Sequence, residues 1–371
     1  MEHKIYLSAS TVCSAFIVAV VVLSCTDPFS VQYSKAAYQK ASATSTSAVA
    51  LPAEATTSQN SATFDTRTYD AKLLANAHYP TSTTTHASSS TATSTLIKHL
   101  WPAKAPYPLA GALLPFHRIV AYYGNFYSTK MGILGQNPPA IMIPQLQAEV
   151  AKWNAADPST PAVPAIDYIV VTAQGSAGAD GKYRARMPDS QIQKAITLAD
   201  QVHGIVILDV QVGLSNVQTE IPLLKQYLML PQVHLALDPE FAMHGGAKPG
   251  SVIGSLDASD INYTANYLAT LVRENSLPPK VLIVHRFTQN MVTHTASITP
   301  LPEVQVVIDM DGWGSPAKKL NTYTQFVQLQ PVQFTGFKLF YKNDLKAPST
   351  RLLTDTELLK LSPQPLFIQY Q

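Results

Sequence analysis

Cysteine is nearly absent. The 371-residue chain has two, Cys13 and Cys25, both close to the N-terminus. That excludes a disulfide scaffold and a cysteine-ligated zinc site, and it leaves the rest of the chain without a thiol nucleophile. Charge is scarce too: Asp, Glu, Lys and Arg make up 13% of residues, about half the usual share. The 26 basic and 24 acidic residues leave a formal net charge of +2. No clustered basic face stands out, which argues against nucleic acid as a partner. The sequence also lacks HExxH, a His-x-His in the first apolar run, a Gly-x-Gly-x-x-Gly turn and a GK[ST] phosphate loop. These absences argue against zinc, dinucleotide and P-loop chemistry. No repeat of solenoid length is found.

The scarce charge is missing altogether from Ile5–Ser24 (IYLSASTVCSAFIVAVVVLS), which follows the short polar start Met1–Lys4. An uncharged run of about 20 residues is long enough to span a bilayer. It closes on Val22-Leu23-Ser24-Cys25. A small residue directly before Cys, after aliphatics, resembles the bacterial lipobox. That resemblance implies cleavage before Cys25 and lipidation of its side chain. An uncleaved anchor and a cleaved secretory leader are the alternatives. All three place the remainder outside the cytoplasmic membrane, so residues 1–25 are expected to be a signal or anchor.

Residues 26–100 are dominated by Ser, Thr and Ala, most densely in Thr81–Thr95 (TSTTTHASSSTATST). Such composition offers too little apolar surface to offset the entropy of ordering, and it reads as a disordered tether. Tyr69, Leu73 and Leu74 suggest at most a short helix within it.

The folded domain is expected over residues 101–371. Eight apolar runs follow one another: Arg118–Gly124, Asp167–Gln174, Gly204–Gln211, Val233–Phe241, Lys280–Phe287, Val304–Gly312, Phe334–Tyr341 and Pro365–Gln371. Their near-continuous Val/Ile/Leu content is what parallel strands covered on both faces need. Helix-type spacing falls between them, at Ile143–Asn154, Asp189–Val202, Val217–Leu230, Ala258–Asn275, Pro316–Gln328 and Thr354–Leu361. Asp189 or Ser190, and Asp257, stand as N-caps. Eight such units predict a single (β/α)8 TIM barrel, with an open doubly wound sheet as the alternative. A closed barrel also leaves the last strand no free edge.

In such a barrel the chemistry sits at the C-terminal ends of the strands. Those ends offer Asp209 and Gln211, Asp238 and Glu240, His285, Asp309 and Asp311, Lys338 and Tyr341, and Gln369. Five of the chain's 24 acidic residues thus fall at three run ends. The i,i+2 spacing of Asp238/Glu240 and of Asp309/Asp311 puts each pair on one strand face. Carboxylates among Val and Ile cost several kcal/mol unless paired or hydrogen-bonded. The structural alternatives are a helix cap, a turn at Asp311-Gly312 and a loop tie at Asp238-Pro239-Glu240. Tyr123, Trp313 and Tyr341 add flat rings suited to sugar faces and equally to loop packing.

Paired carboxylates without a thiol or serine motif point first to glycoside hydrolysis. Glu240 is the expected acid and Asp309 or Asp311 its partner, with Asp209 and Asp238 tuning it. Tyr123, Gln211, His285, Trp313, Lys338, Tyr341 and Gln369 are the expected substrate contacts. No cofactor is expected, and the partner is a carbohydrate or another small polar substrate. The acid after the fourth run resembles the pattern of barrel glycoside hydrolases. The seventh run departs from their largest clan, offering Lys338 and Tyr341 where a nucleophile is implied. The phrases LALDPEF, VIGSLDASDIN and GFKLFY resemble a group of secreted bacterial proteins without an assigned activity.

Two other readings stay open. Asp209, Asp238, Glu240 and Asp309 supply the oxygen ligands of a Mg²⁺ or Ca²⁺ site, as in enolase-like or phosphodiester-cleaving barrels. A non-catalytic surface module that binds a glycan fits the same residues.

Overall fold

Eight parallel strands form the core of the molecule: β1 (Arg118–Gly124), β2 (Ala162–Ala173), β3 (Ile205–Val210), β4 (Val233–Leu237), β5 (Lys280–Arg286), β6 (Val304–Met310), β7 (Phe334–Leu339) and β8 (Phe367–Tyr370). Each pairs with its neighbour in sequence, and β1 pairs with both β2 and β8, so the sheet closes. The structure, a computed structural model, describes residues 64–79 and 99–371. The apolar leader, Cys25 and most of the Ser/Thr-rich tract lie outside the described residues. No helix among the described residues is long and apolar enough to cross a membrane.

Alternation along each strand builds two cores, because successive side chains point to opposite faces. On β1, Val120 and Tyr122 join the large cluster between sheet and helices, whereas Ile119 and Ala121 join the smaller one inside the barrel. The helices that cover the sheet bury one stripe each. Pro139–Ala156 buries Met142, Leu146 and Trp153, and Ala258–Asn275 buries Ile261, Ala265, Leu268 and Val272. The second carries a full capping box, with Asp257 accepting from Ser259 N and Asp260 accepting from Asp257 N.

Three expectations need correction. The second strand starts at Ala162 rather than Asp167, because Ala162–Ile166 pairs with the start of β1. Asp167 therefore lies in mid-strand. The single helix expected over Val217–Leu230 is three short pieces, Val217–Glu220, Ile221–Leu224 and Lys225–Leu228. Pro222 lacks the N–H that would continue the α-helical ladder.

The third correction concerns the tether. Helix α1 (Thr66–Ala77) forms within the stretch read as disordered. Asp65 caps it, accepting hydrogen bonds from Arg67 N and Thr68 N. Phe64, Tyr69 and Leu73 pack on Leu114, Phe116 and the inner-barrel cluster that contains Ile119, Phe334 and Phe367. Asn76 and Ala77 hydrogen-bond the Ser362–Gln364 segment just before β8. The helix thus closes the N-terminal mouth of the barrel with aromatic surface, which a composition average over the tract conceals.

Candidate active site

The barrel interior changes character along its axis. Its N-terminal half is apolar, with Ile119, Ala121, Ala165, Ile205, Ile207, Ala236, Val281, Ile283, Val307 and Phe367. One step further along the inward faces stand Asp167 on β2, Asp209 on β3, His285 on β5, Asp309 on β6 and Gln369 on β8, all fully buried. Above them a cavity of about 460 Å³ opens at the C-terminal ends of the strands. Tyr123, Gln211, Asp238, Glu240, Asp311, Trp313 and Lys338 line it.

The buried tier is a chain of acids around one imidazole. His285 Nε2 lies 2.8 Å from Asp209 Oδ2, and its Nδ1 lies 3.0 Å from Asp309 Oδ2. Burial alone would lower the imidazole pKa, but hydrogen bonds to Asp209 and Asp309 override it and hold His285 well above its ordinary value. Gln369 Nε2 donates to Asp167 Oδ2 at 2.5 Å. Burial, and then the negative charge of Asp209, keep Asp167 protonated far above the usual carboxylate range. Gly336 sits opposite Asp309 in register, and a Cβ there would lie 2.6 Å from Asp309 Oδ1. The absent side chain leaves room for the carboxylate.

The tier above it faces the cavity. Gln211 accepts from Ala173 N at 3.0 Å and donates to Asp238 Oδ2 at 3.0 Å. Asp238 accepts from Glu240 N at 3.2 Å and so caps the tight turn Pro239–Phe241. From the other side, Gly254 N donates to the Glu240 carbonyl at 2.7 Å. A Cβ on Gly254 would meet two carbonyl oxygens at 2.6 Å, so glycine is required for that approach. The backbone of Glu240 is thereby fixed on both sides while its carboxyl faces the cavity. Asp311 Oδ1 pairs with Lys338 Nζ at 3.1 Å, and Lys338 stands 3.8 Å over the ring of Tyr123.

Glu240 has the chemistry of a proton donor. Burial first, and then the negative charge of Asp311, push its pKa up to about 7, with Lys338 and His285 pulling the other way. Asp238 is pushed up as well, by burial and by Asp209.

Of the residues expected from sequence, Glu240, Asp238, Asp311, Tyr123, Gln211, Trp313 and Lys338 meet in the cavity. Asp209, Asp309 and His285 lie beneath its floor, linked to each other rather than open to a ligand. Gln369 is buried at that lower level on Asp167, so it supports the floor instead of contacting substrate. Tyr341 does not join the site. It stacks on Tyr370 at 5.3 Å and its hydroxyl lies 3.4 Å from Tyr122, beside a different hollow lined by Gln145 and Glu149. The expected strand end at Tyr341 fails because β7 stops at Leu339, so Tyr341 is outside the alternation. Asp167 was missed, since it appeared to open a run; its i,i+2 relation to Ala165 on an inward face was the available signal. The cavity residues Lys130, Lys318, Phe287 and Phe340 were missed too, the two lysines lying outside every expected strand.

Among the described residues, no three His, Cys, Asp or Glu side chains converge as metal ligands would.

The closed order of strands and the acid-lined C-terminal mouth define a (β/α)8 barrel with its candidate site in the usual position for that fold. No protein-family model and no curated protein sequence matches the chain. Among solved structures, a ruminal GH26 endo-β-1,4-mannanase is loosely similar, at 13% identity and a TM-score of 0.33. The likeness covers 69% of this chain and 59% of that one, so the chain spans less than two thirds of the mannanase structure. At this distance the architecture rests on the strand order itself.

Proposed function

We propose that the barrel is a glycoside hydrolase acting on a poly- or oligosaccharide outside the cytoplasmic membrane. The observation that carries the proposal is Glu240, a half-buried carboxyl with a pKa near 7, sharing an open cavity with the Asp311–Lys338 ion pair. Glu240 donates its proton to the glycosidic oxygen as the bond to the anomeric carbon breaks. Asp311 supplies the second carboxylate, which stabilises positive charge developing at that carbon; water then adds its hydroxyl there and gives its other proton to the carboxylate pair, replacing the one Glu240 donated. Asp238 is a positioning residue, because it holds the Glu240 backbone. Exposed Trp313 offers an aromatic surface for a sugar ring.

The test is reducing-end release by the full chain from a panel of bacterial, fungal and plant polysaccharides. Wild type releases sugar from at least one, and Glu240→Gln reduces the rate about 10²–10⁴-fold. Release that survives the substitution removes Glu240 as the acid. No release from any polymer overturns the proposal.

The address belongs to the same proposal and rests on the 5–24 apolar run and Cys25. Incorporation of labelled palmitate into the wild type, and none into Cys25→Ser, is the expected result for a lipid anchor.

A further inference from the structure

The floor of the cavity is acidic, but its rim is not. Trp313 stands on the loop after β6, 46% exposed. Two ammonium groups flank its indole: Lys318 Nζ is 5.1 Å and Lys346 Nζ 4.9 Å from the ring centroid. Lys130 lines the same cavity. Among the described residues none of these three lysines has a carboxylate at ion-pair distance, unlike Lys319 and Lys338. Lys318 and Lys346 gather on one indole, within about a Debye length of each other at 0.1 M salt, roughly 10 Å.

The loop that carries Trp313 is held firmly. Gly314 N donates to Asp344 Oδ1 at 2.9 Å. Asp344 Oδ2 pairs with Lys319 Nζ at 2.7 Å, and Lys319 also donates to the Lys338 carbonyl at 2.7 Å. Asp344 and Lys319 are both almost wholly buried. This clamp ties the Trp313 rim to the strand end that carries Lys338. The exposed indole is therefore a pre-positioned surface, which lowers the ordering cost of binding.

We propose that the Trp313 rim is a subsite for an anionic sugar residue, with the indole against the ring and Lys318 and Lys346 on its acidic group. The proposal rests on the hydrolase reading for the ligand being a glycan, and it narrows that reading to acidic glycans. The acidic group is a carboxylate or a sulfate ester, since a lysine ammonium acts on either as a point charge.

The test is affinity electrophoresis of the full chain. Gels carry polygalacturonate, alginate or dextran sulfate, with methyl-esterified polygalacturonate and plain dextran as neutral counterparts. Retention on at least one acidic polymer is expected to be about tenfold stronger than on the neutral ones. Lys318→Gln/Lys346→Gln abolishes the difference, whereas the exposed pair Lys225→Gln/Lys360→Gln, neither of which lines the cavity, leaves it intact. Preference for the uronate polymers assigns a carboxylate; preference for dextran sulfate alone assigns a sulfate ester. Equal retention on acidic and neutral gels, no retention on any, or a preference that survives Lys318→Gln/Lys346→Gln overturns the subsite. The two proposals fail separately. Acid-selective retention without reducing-end release removes the hydrolase and keeps the subsite. Release from neutral glycans without acid selectivity removes the subsite and keeps the hydrolase.

Discussion

Nε2 of His285 lies 2.8 Å from the carboxylate of Asp209, and both side chains are wholly shut off from solvent. With Asp309 on the other ring nitrogen, one imidazolium compensates two buried carboxylates from different strands. Removing it strands those charges, a change that costs about 3–5 kcal/mol. His285→Ala is therefore expected to lower the unfolding free energy by about that amount in denaturant titrations. A loss within about 0.5 kcal/mol, the range of ordinary surface substitutions, would show that His285 does not compensate the acids.

The same tier sets a pH dependence of stability. The fold raises His285 above its ordinary 6.5, so its contribution is complete below 6.5 and is lost as pH rises through the higher folded value. The fold also keeps Asp167 and Asp238 protonated far above their ordinary 3.8. These two ionise on unfolding, so they too favour the unfolded chain as pH rises. Buried His234 is held neutral and opposes this trend only below 6.5. Lys280 and Lys319, both lowered to about 8, oppose it only above that value. Between pH 6.5 and 8 the unfolding free energy should fall steadily. A flat or rising profile in that window would contradict the buried proton inventory.

Glu240 is tuned by two charges of opposite sign, which gives paired expectations. Asp311 raises its pKa and Lys338 lowers it. Asp311→Asn should move the Glu240 titration below 7, and Lys338→Gln should move it above. Carboxyl ¹³C NMR of labelled glutamate reads both without needing turnover. Shifts of the same sign in the two variants would disprove the electrostatic account.

Helix α1 is expected to behave as part of the barrel. Tyr69 is 3% exposed and packs edge-on against Phe64 at 5.2 Å. Truncating a buried aromatic of this size costs about 3–5 kcal/mol. Tyr69→Ala should lower stability accordingly and open cleavage by protease between Thr66 and Ala77. Unchanged stability would mean that α1 does not hold the N-terminal mouth.

The sequence made the eight strands legible because each is buried on both faces and reads as a Val/Ile/Leu run. The acids at the C-terminal ends were legible for the complementary reason: Asp209, Asp238, Glu240, Asp309 and Asp311 interrupt those runs. Depth was not. Asp209 and Asp309 look equivalent to Asp311 along the chain, yet one i,i+2 step separates Asp309 under the floor from Asp311 in the cavity. Strand register decides that, and register is a property of neighbouring strands. A short helix around Tyr69, Leu73 and Leu74 was legible, but its place in the barrel was not, because its few apolar residues gain their stability from the barrel end and not from helical propensity. The lysines around Trp313 come from separate segments, Lys318 from the helix Pro316–Tyr323 and Lys346 from the stretch after β7, and only folding brings them to one ring.

The central claim is that Glu240 delivers the proton, and the pH dependence of kcat/KM tests it most directly. On any glycan that the full chain cleaves, the account predicts a basic limb near pH 7, where Glu240 ionises. That limb should be absent from the residual activity of Glu240→Gln. A limb that persists unchanged in Glu240→Gln would assign the proton to another group and contradict the account.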